Sequence, residues 1–220
     1  MGLDARVGSV FRRVGSYGWY HSFRAAVCDY LEGGVWGSRF PLLQDHSDCD
    51  GEYTPEEAKR LLKELKEIER GLEDVKYPVA ICLDADGAEL CRQPKYSERG
   101  IFCYGKLLNF GVTEEGLVVD SENPASLPVP PDGEYVDVLG RLKYRWYFTE
   151  MERVGEDAWK GRRASGVPVM IKGLCTAAPE GCARIVAGWE PALLTFGHTI
   201  RVLGELCEKS AATGEPVVFC

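Results

Sequence analysis

Several things are scarce in this sequence. No stretch of its 220 residues approaches the roughly 18 consecutive apolar residues that a membrane-spanning helix needs, and the opening Met1-Gly2-Leu3-Asp4-Ala5-Arg6 has no apolar core of signal-peptide type. The expectation is a cytoplasmic protein with no membrane partner. Positive charge is also short: 26 Lys and Arg stand against 34 Asp and Glu, a formal net charge of -8. Nucleic-acid binding draws on clustered cations that neutralise phosphates, so a nucleic-acid partner is not expected. Histidine is limited to His21, His46 and His198, and the nine cysteines include no Cys-x-x-Cys pair, which leaves no zinc-ribbon or redox motif. Most of these thiols should be buried and behave as small hydrophobes.

What is present, 45% hydrophobic and 27% charged residues, is enough to bury a core. The pattern predicts an α+β fold: a single domain, 1–220, with a mainly antiparallel sheet and about three amphipathic helices, and with room for a β-rich inserted subdomain around 77–190. Residues 6–14 read as a strand running into Gly15-Ser16. A helix follows, capped near Ser16, with Tyr20, Phe23, Val27 and Tyr30 or Leu31 facing the core and His21 and Arg24 off that stripe. Gly33-Gly34 stops it. The loop from Gly33 to Arg39 carries Trp36 and Arg39 between glycines, with no Gly-Lys-Ser/Thr to make it a phosphate loop.

The best-defined helix runs from about Pro55 to Arg70. Thr54 is placed as its N-cap, Pro55 at the first helical position, and Glu57 as the reciprocal partner of a capping box. Ala58, Leu61, Leu62, Leu65, Ile68 and Leu72 form one face, and Lys and Glu form a solvated one. From Val79 to Arg92 the period is two, predicting a hairpin that turns at Asp86-Gly87 and sets Leu83 opposite Leu90 and Cys82 opposite Cys91. Further strands are expected at Ile101–Tyr104, Leu107–Val112, Leu117–Val119, within Tyr135–Val154, and at Val167–Leu174 and Ala183–Ala187. Between them the Pro-rich run Ser121 to Gly133 reads as a surface connection. A final helix, about Pro191 to Ala212, puts Leu193, Phe196, Ile200, Leu203 and Cys207 on one face, ends at Gly214 and leads to a strand at Pro216–Cys220. His198 is expected half-buried on it.

The densest chemistry lies in His46-Ser47-Asp48-Cys49-Asp50-Gly51-Glu52-Tyr53, directly before the capping box. Laid over a calcium-binding loop, His46, Asp48, Asp50 and Glu57 occupy ligand positions, with Gly51 at the sharp turn. Imidazole is a poor replacement for the first carboxylate of such a site, and no entering helix precedes it. An acidic turn that launches a helix accounts for the same residues, with Asp48 and Asp50 bonding to nearby backbone. Cys49 beside His46 lacks a third, orienting residue for nucleophilic catalysis. No cofactor is therefore expected, calcium being the one metal the loop suggests.

Val14-Gly15-Ser16-Tyr17, Phe23-Arg24, Trp36-Gly37-Ser38-Arg39-Phe40-Pro41, the His46–Glu52 motif and the terminal Gly214-Glu215-Pro216-Val217-Val218-Phe219 together resemble the Immunity protein 70 family of polymorphic-toxin systems. The likeness lies in about the first 75 residues and the last 30. It implies a non-enzymatic protein that neutralises a toxin or effector by direct binding. Trp36, Arg39, His46, Asp48, Asp50, Glu52 and Tyr53 are the candidate contact residues, and homo-oligomerisation is left open. Two other readings compete: a phage-type protein sequestering a small nucleotide through Trp36, Arg39 and the Tyr144–Phe148 aromatics, and a metal-dependent hydrolase.

Overall fold

The structure, a computed structural model, describes residues 2–47, 50–95, 103–104, 108–137, 140–174, 176 and 178–220. In chain order the elements are β1 (Gly2–Val7), β2 (Val10–Ser16), α1 (Tyr17–Leu31), α2 (Pro41–Gln44), β3 (Glu52–Tyr53), α3 (Pro55–Leu72), β4 (Lys76–Leu83) and β5 (Glu89–Pro94). There follow β6 (Cys103–Tyr104), β7 (Asn109–Thr113), β8 (Gly116–Ser121), β9 (Gly133–Val136), β10 (Leu142–Phe148), β11 (Glu150–Gly155), β12 (Ala158–Arg162) and β13 (Pro168–Lys172). The chain closes with β14 (Arg184–Pro191), α4 (Ala192–Thr213) and β15 (Val217–Phe219). The fold is α+β, with mostly antiparallel sheets. Among the described residues no helix is long and apolar enough to cross a membrane.

The chain divides into two compact units, one formed by Met1–Lys76 with Pro191–Cys220 and the other by Tyr77–Glu190. In the first, the sheet order is β2-β1-β15-β3. Alternation in β1 sends Leu3, Ala5 and Val7 inward, where they meet Tyr20 and Phe23 of α1, Leu61, Leu65 and Ile68 of α3 and Phe196 and Leu203 of α4 in the buried set. The strand expected at 6–14 is a hairpin, β1–β2, because Gly8 takes a left-handed φ of 56° and turns the chain. Helix α3 starts as its local sequence dictates: Thr54 Oγ1 accepts from the Glu57 N–H at 3.3 Å, and Glu57 Oε2 accepts from the Thr54 N–H at 2.9 Å. Those bonds hold the Glu57 carboxyl below the usual carboxylate range. Gly214, left-handed at φ 75°, ends α4.

The second unit holds two sheets, β6-β7-β8-β10-β9 and β13-β12-β11-β14-β4-β5. They share one core, to which Phe110, Leu117, Val119, Trp146 and Phe148 contribute from the first sheet and Ala80, Met151, Trp159, Ile171 and Ile185 from the second. The whole described run from Leu142 to Gly155, with a break at Thr149, is strand. The Pro-rich connection is more than surface: Leu127 is buried, and Trp146 Nε1 donates to the Val129 carbonyl at 3.0 Å. The hairpin β4–β5 keeps Cys82 opposite Cys91, but Leu83 faces Glu89 across a register shift instead of Leu90. Asp84 causes this by organising a longer turn, its carboxylate accepting from the N–H groups of Asp86 and Ala88 at 3.0 and 2.7 Å. Both cysteines are free thiols, as is Cys182. The strands expected at Ile101–Tyr104 and Leu107–Val112 begin on residues that lie outside those described.

Replacing Thr54 by Ala removes the hydroxyl that accepts from the Glu57 N–H and donates to the Glu57 carboxylate, leaving only the backbone half of the capping box. It should cost about 1 kcal/mol of stability, measured as a lower urea midpoint with an unchanged slope.

Candidate functional site

The site grows from the C-terminal half of α1. Ser16 caps the helix by accepting from the Trp19 N–H at 3.0 Å, and Tyr20, Phe23 and Val27 point into the core. Arg24 goes with them. It is 5% exposed, four residues after Tyr20 and three before Val27, hence on the apolar stripe and not off it. Its Nη1 donates to the carbonyls of Leu43 at 3.3 Å and Gln44 at 3.2 Å, and closely to that of His46. Its guanidinium lies 5.3 Å from the ring centre of Tyr20 and 5.1 Å from that of Trp36. A buried cation is tolerated only with such compensation.

Its counterpart is Glu32, just past α1 and 7% exposed. This carboxylate accepts from the N–H groups of Gly37 at 3.2 Å, Arg39 at 2.9 Å and Phe40 at 2.9 Å, and from Gln44 Nε2 at 2.9 Å. Burial pushes its carboxyl up, but the hydrogen bonds to the ionised form outweigh burial and hold it below its ordinary value. Gly37 adopts φ 70°, which lets the loop fold its N–H groups around the carboxylate. Gln44 Nε2 also donates to the Arg24 carbonyl at 2.9 Å, tying the two charged residues into one network. From α3, Glu64 accepts from the N–H groups of Leu42 and Leu43 at 3.3 and 3.1 Å, and there burial wins and raises the carboxyl.

On this framework Trp36 is 40% exposed, its Nε1 donating to the Gln44 carbonyl at 3.0 Å and its ring stacked 6.0 Å from His21. Arg39 is exposed over the Phe40 ring and 3.7 Å from Glu67 of α3. His46 stacks on Tyr53 at 4.1 Å and packs at a tilt of 41° against Phe219 of β15 at 4.8 Å, with Nδ1 2.9 Å from the Ser47 carbonyl. Gly51, at φ 97°, must lack a side chain here, since a Cβ would sit 3.3 Å from the imidazole. Asp50 and Glu52 are exposed. Tyr53 is 2% exposed, its hydroxyl donating to the Leu42 carbonyl at 2.9 Å and its phenol pushed up by burial, so it props the loop from inside. Asp48 and Cys49 lie outside the described residues.

For the metal candidates, Glu57 is occupied by the capping box and His46 by two aromatic faces, and no group of three or more metal-binding side chains suited to an ion occurs among the described residues. Two further expectations need correcting. His198 is exposed on α4, not half-buried, with Nε2 3.3 Å from the Arg13 carbonyl. Of the Tyr144–Phe148 aromatics, Trp146 and Phe148 are core residues of the second unit. Arg24, Glu32, Gln44 and Glu64 escaped attention as site residues. The helical spacing of Arg24 was the one signal available for them.

These features define an α+β protein whose exposed aromatic, cationic and acidic loop residues rest on buried charged groups. The chain belongs to the Immunity protein 70 family, whose model matches residues 5–115. The match therefore runs beyond the first 75 residues, through the β4–β5 hairpin and β7, and does not take in α4 or β15. No curated protein and no solved structure matches. The family is one of toxin-neutralising binders, so membership implies a protein toxin as partner.

Arg24→Met keeps the apolar stem but removes the guanidinium donor from the Leu43, Gln44 and His46 carbonyls, of which that of Gln44 retains Trp36 Nε1; it should destabilise the fold by about 3 kcal/mol and shift the tryptophan fluorescence. Glu32 titrates from an unfolded value near 4.5 to a lower folded one, so its stabilisation is complete above that range and disappears as pH falls through the folded pKa. Glu64 has the opposite sign, its raised folded pKa giving stability that is lost as pH rises through it. Glu32→Gln should therefore lower stability at pH 7 and flatten its decline below pH 4.5, as read from urea midpoints across pH.

Proposed function

We propose that this protein neutralises a protein toxin by stoichiometric binding, without catalysis, using the exposed Trp36, Arg39, Asp50 and Glu52 with the half-buried His46 as the contact set and Tyr53 as their support. The observation that carries this reading is the Arg24–Glu32–Gln44 network. It engages the backbone polar groups of the 37–46 loop inside the protein, so the loop meets a partner with little conformational entropy left to lose. Trp and Arg are residue types enriched where binding energy concentrates. The carboxylates of Asp50 and Glu52, on a chain of net charge -8, favour approach to a basic surface such as that of a nuclease-type toxin. The 46–57 loop serves here as a turn and helix start, with no bound metal required.

The test is co-expression with the toxin encoded beside this chain, followed by titration against a catalytically inactive form of that toxin. A one-to-one complex and protection from killing are expected; a wild-type chain that neither binds nor protects removes the proposal. Asp50→Lys with Glu52→Lys should slow association about tenfold at low salt, with the difference shrinking as ionic strength rises. Calorimetric titration of the free protein with calcium and with zinc should give no saturable heat.

A further inference from the structure

Three thiols of the second unit meet at the turn end of the β4–β5 hairpin. Cys82 on β4 and Cys91 on β5 are direct partners in the antiparallel register, the last regular pair before the shift at Leu83, so both side chains lie on one face of the sheet. That face is the core side: Cys82 is buried in the cluster that contains Ala80, Met151, Trp159 and Ile185, and Cys91 packs against it. Cys182, just before β14, joins the same cluster. Cys82 lies within hydrogen-bonding range of the sulfurs of both Cys182 and Cys91, and Cys182 Sγ donates onward to the Arg184 carbonyl at 3.4 Å. One buried cysteine is explained as a small hydrophobe, whereas three sulfurs in contact make a chemical arrangement. They do not form a group suited to a metal ion, which leaves sulfur–sulfur chemistry.

The three differ in access. Cys82 and Cys182 are 0% and 2% exposed, but Cys91 is half-buried, beside the exposed Leu90 near the hairpin end. Burial, together with the neighbouring thiols, pushes the Cys82 thiol well above the usual cysteine value, and burial raises that of Cys182. Both stay protonated and screened from solutes, so Cys91 is the sulfur that a small oxidant meets first. Directly opposed side chains on paired strands have Cβ atoms about 4.5–5.5 Å apart and a disulfide needs about 3.5–4.5 Å, so closing one requires the hairpin end to tighten by about 1 Å.

We infer that Cys91 and Cys82 form a peroxide-sensitive dithiol that closes into a disulfide and pins β5 to β4. The Cys91 thiolate attacks an oxygen of hydrogen peroxide; an S–O bond forms, the O–O bond breaks, and the departing hydroxide takes a proton to become water. The Cys82 sulfur then attacks the Cys91 sulfenic acid; the S–S bond forms, the S–O bond breaks, and the second hydroxide leaves as water with the Cys82 proton. The two thiols give up two electrons and two protons, and the peroxide becomes two waters. A dithiol reductant reverses the change, its own pair becoming the disulfide. The inference stands whether or not the toxin-binding reading does.

The experiment exposes the folded full chain to hydrogen peroxide, alkylates the remaining thiols and maps tryptic peptides without reduction. Trypsin leaves Cys82 and Cys91 in one peptide, residues 77–92, and Cys182 in another, residues 173–184. The expected product is a 77–92 peptide lighter by two hydrogens with neither cysteine alkylated, returned to two alkylated cysteines by dithiothreitol, from a chain that melts a few degrees higher than the reduced one. Cys82→Ala should leave Cys91 as a sulfenic acid that dimedone traps, and Cys91→Ala should slow loss of the Cys82 thiol about tenfold, circular dichroism confirming that each is folded. If Cys82→Ala fails to fold, the wild-type map and Cys91→Ala decide. Both cysteines still alkylated after the exposed Cys220 has been oxidised overturns the inference, as does Cys91 carried to sulfinic acid without a bridge. A link between the 77–92 and 173–184 peptides overturns the pairing, and an unchanged melting temperature overturns the pinning.

Discussion

The loops that carry the exposed chemistry of this protein depend on two buried charges of opposite sign, each bonded to a different stretch of backbone. Arg24 supplies N–H donors to carbonyls of the 43–46 segment, and Glu32 supplies acceptors to N–H groups of the 37–40 segment. Between them they satisfy a stretch of chain that has little regular structure and would otherwise bury unmet polar groups. Gln44 joins the two, and Glu64 closes the N-terminal end of α2 from a neighbouring helix. Removing one charge therefore leaves several backbone groups of the same segment without a partner at once.

In this family of toxin-neutralising binders, the arrangement separates exposed side chains from the buried ones that support them. Asp50 and Glu52 are exposed, and Trp36, 40% exposed, is also tied to Gln44, His21 and Arg24, while Tyr53, Gln44, Arg24 and Glu32 are shielded from solvent. Variation at Asp50 and Glu52 leaves the loop's conformation in place. An immunity protein matched to a particular toxin needs that freedom, because specificity is a difference between affinities set at the surface.

Local signals were the legible part of the sequence. Thr54-Pro55-Glu56-Glu57 announces the start of α3, Ser16 caps α1, and Gly214 ends α4, because each rests on backbone groups only a few residues away. The opposition of Cys82 and Cys91 was also readable, although the Asp84 turn shifted the pair next to it. Arg24 was misjudged because charge was allowed to outweigh spacing, and what holds it inside lies some twenty residues further along the chain. Strand β12 went unnoticed because Ala158-Trp159-Lys160-Gly161-Arg162 lacks β-branched residues; Gly161 is there because a Cβ would lie 2.4 Å from the Phe148 ring. Nothing short of the folded chain brings Phe219 against His46.

That last contact bears on the order of events during synthesis. Strand β15 lies between β1 and β3, so the sheet of the first unit is completed by a segment more than 200 residues after its first strand. Such distant pairing closes late and slowly. Until Val217–Phe219 pair, His46 lacks one of its two aromatic neighbours, β1 has an open edge, and the Gly51 carbonyl lacks the Phe219 N–H that donates to it. A chain in which β15 has not yet paired therefore carries the loop's sequence without the contacts that shape it.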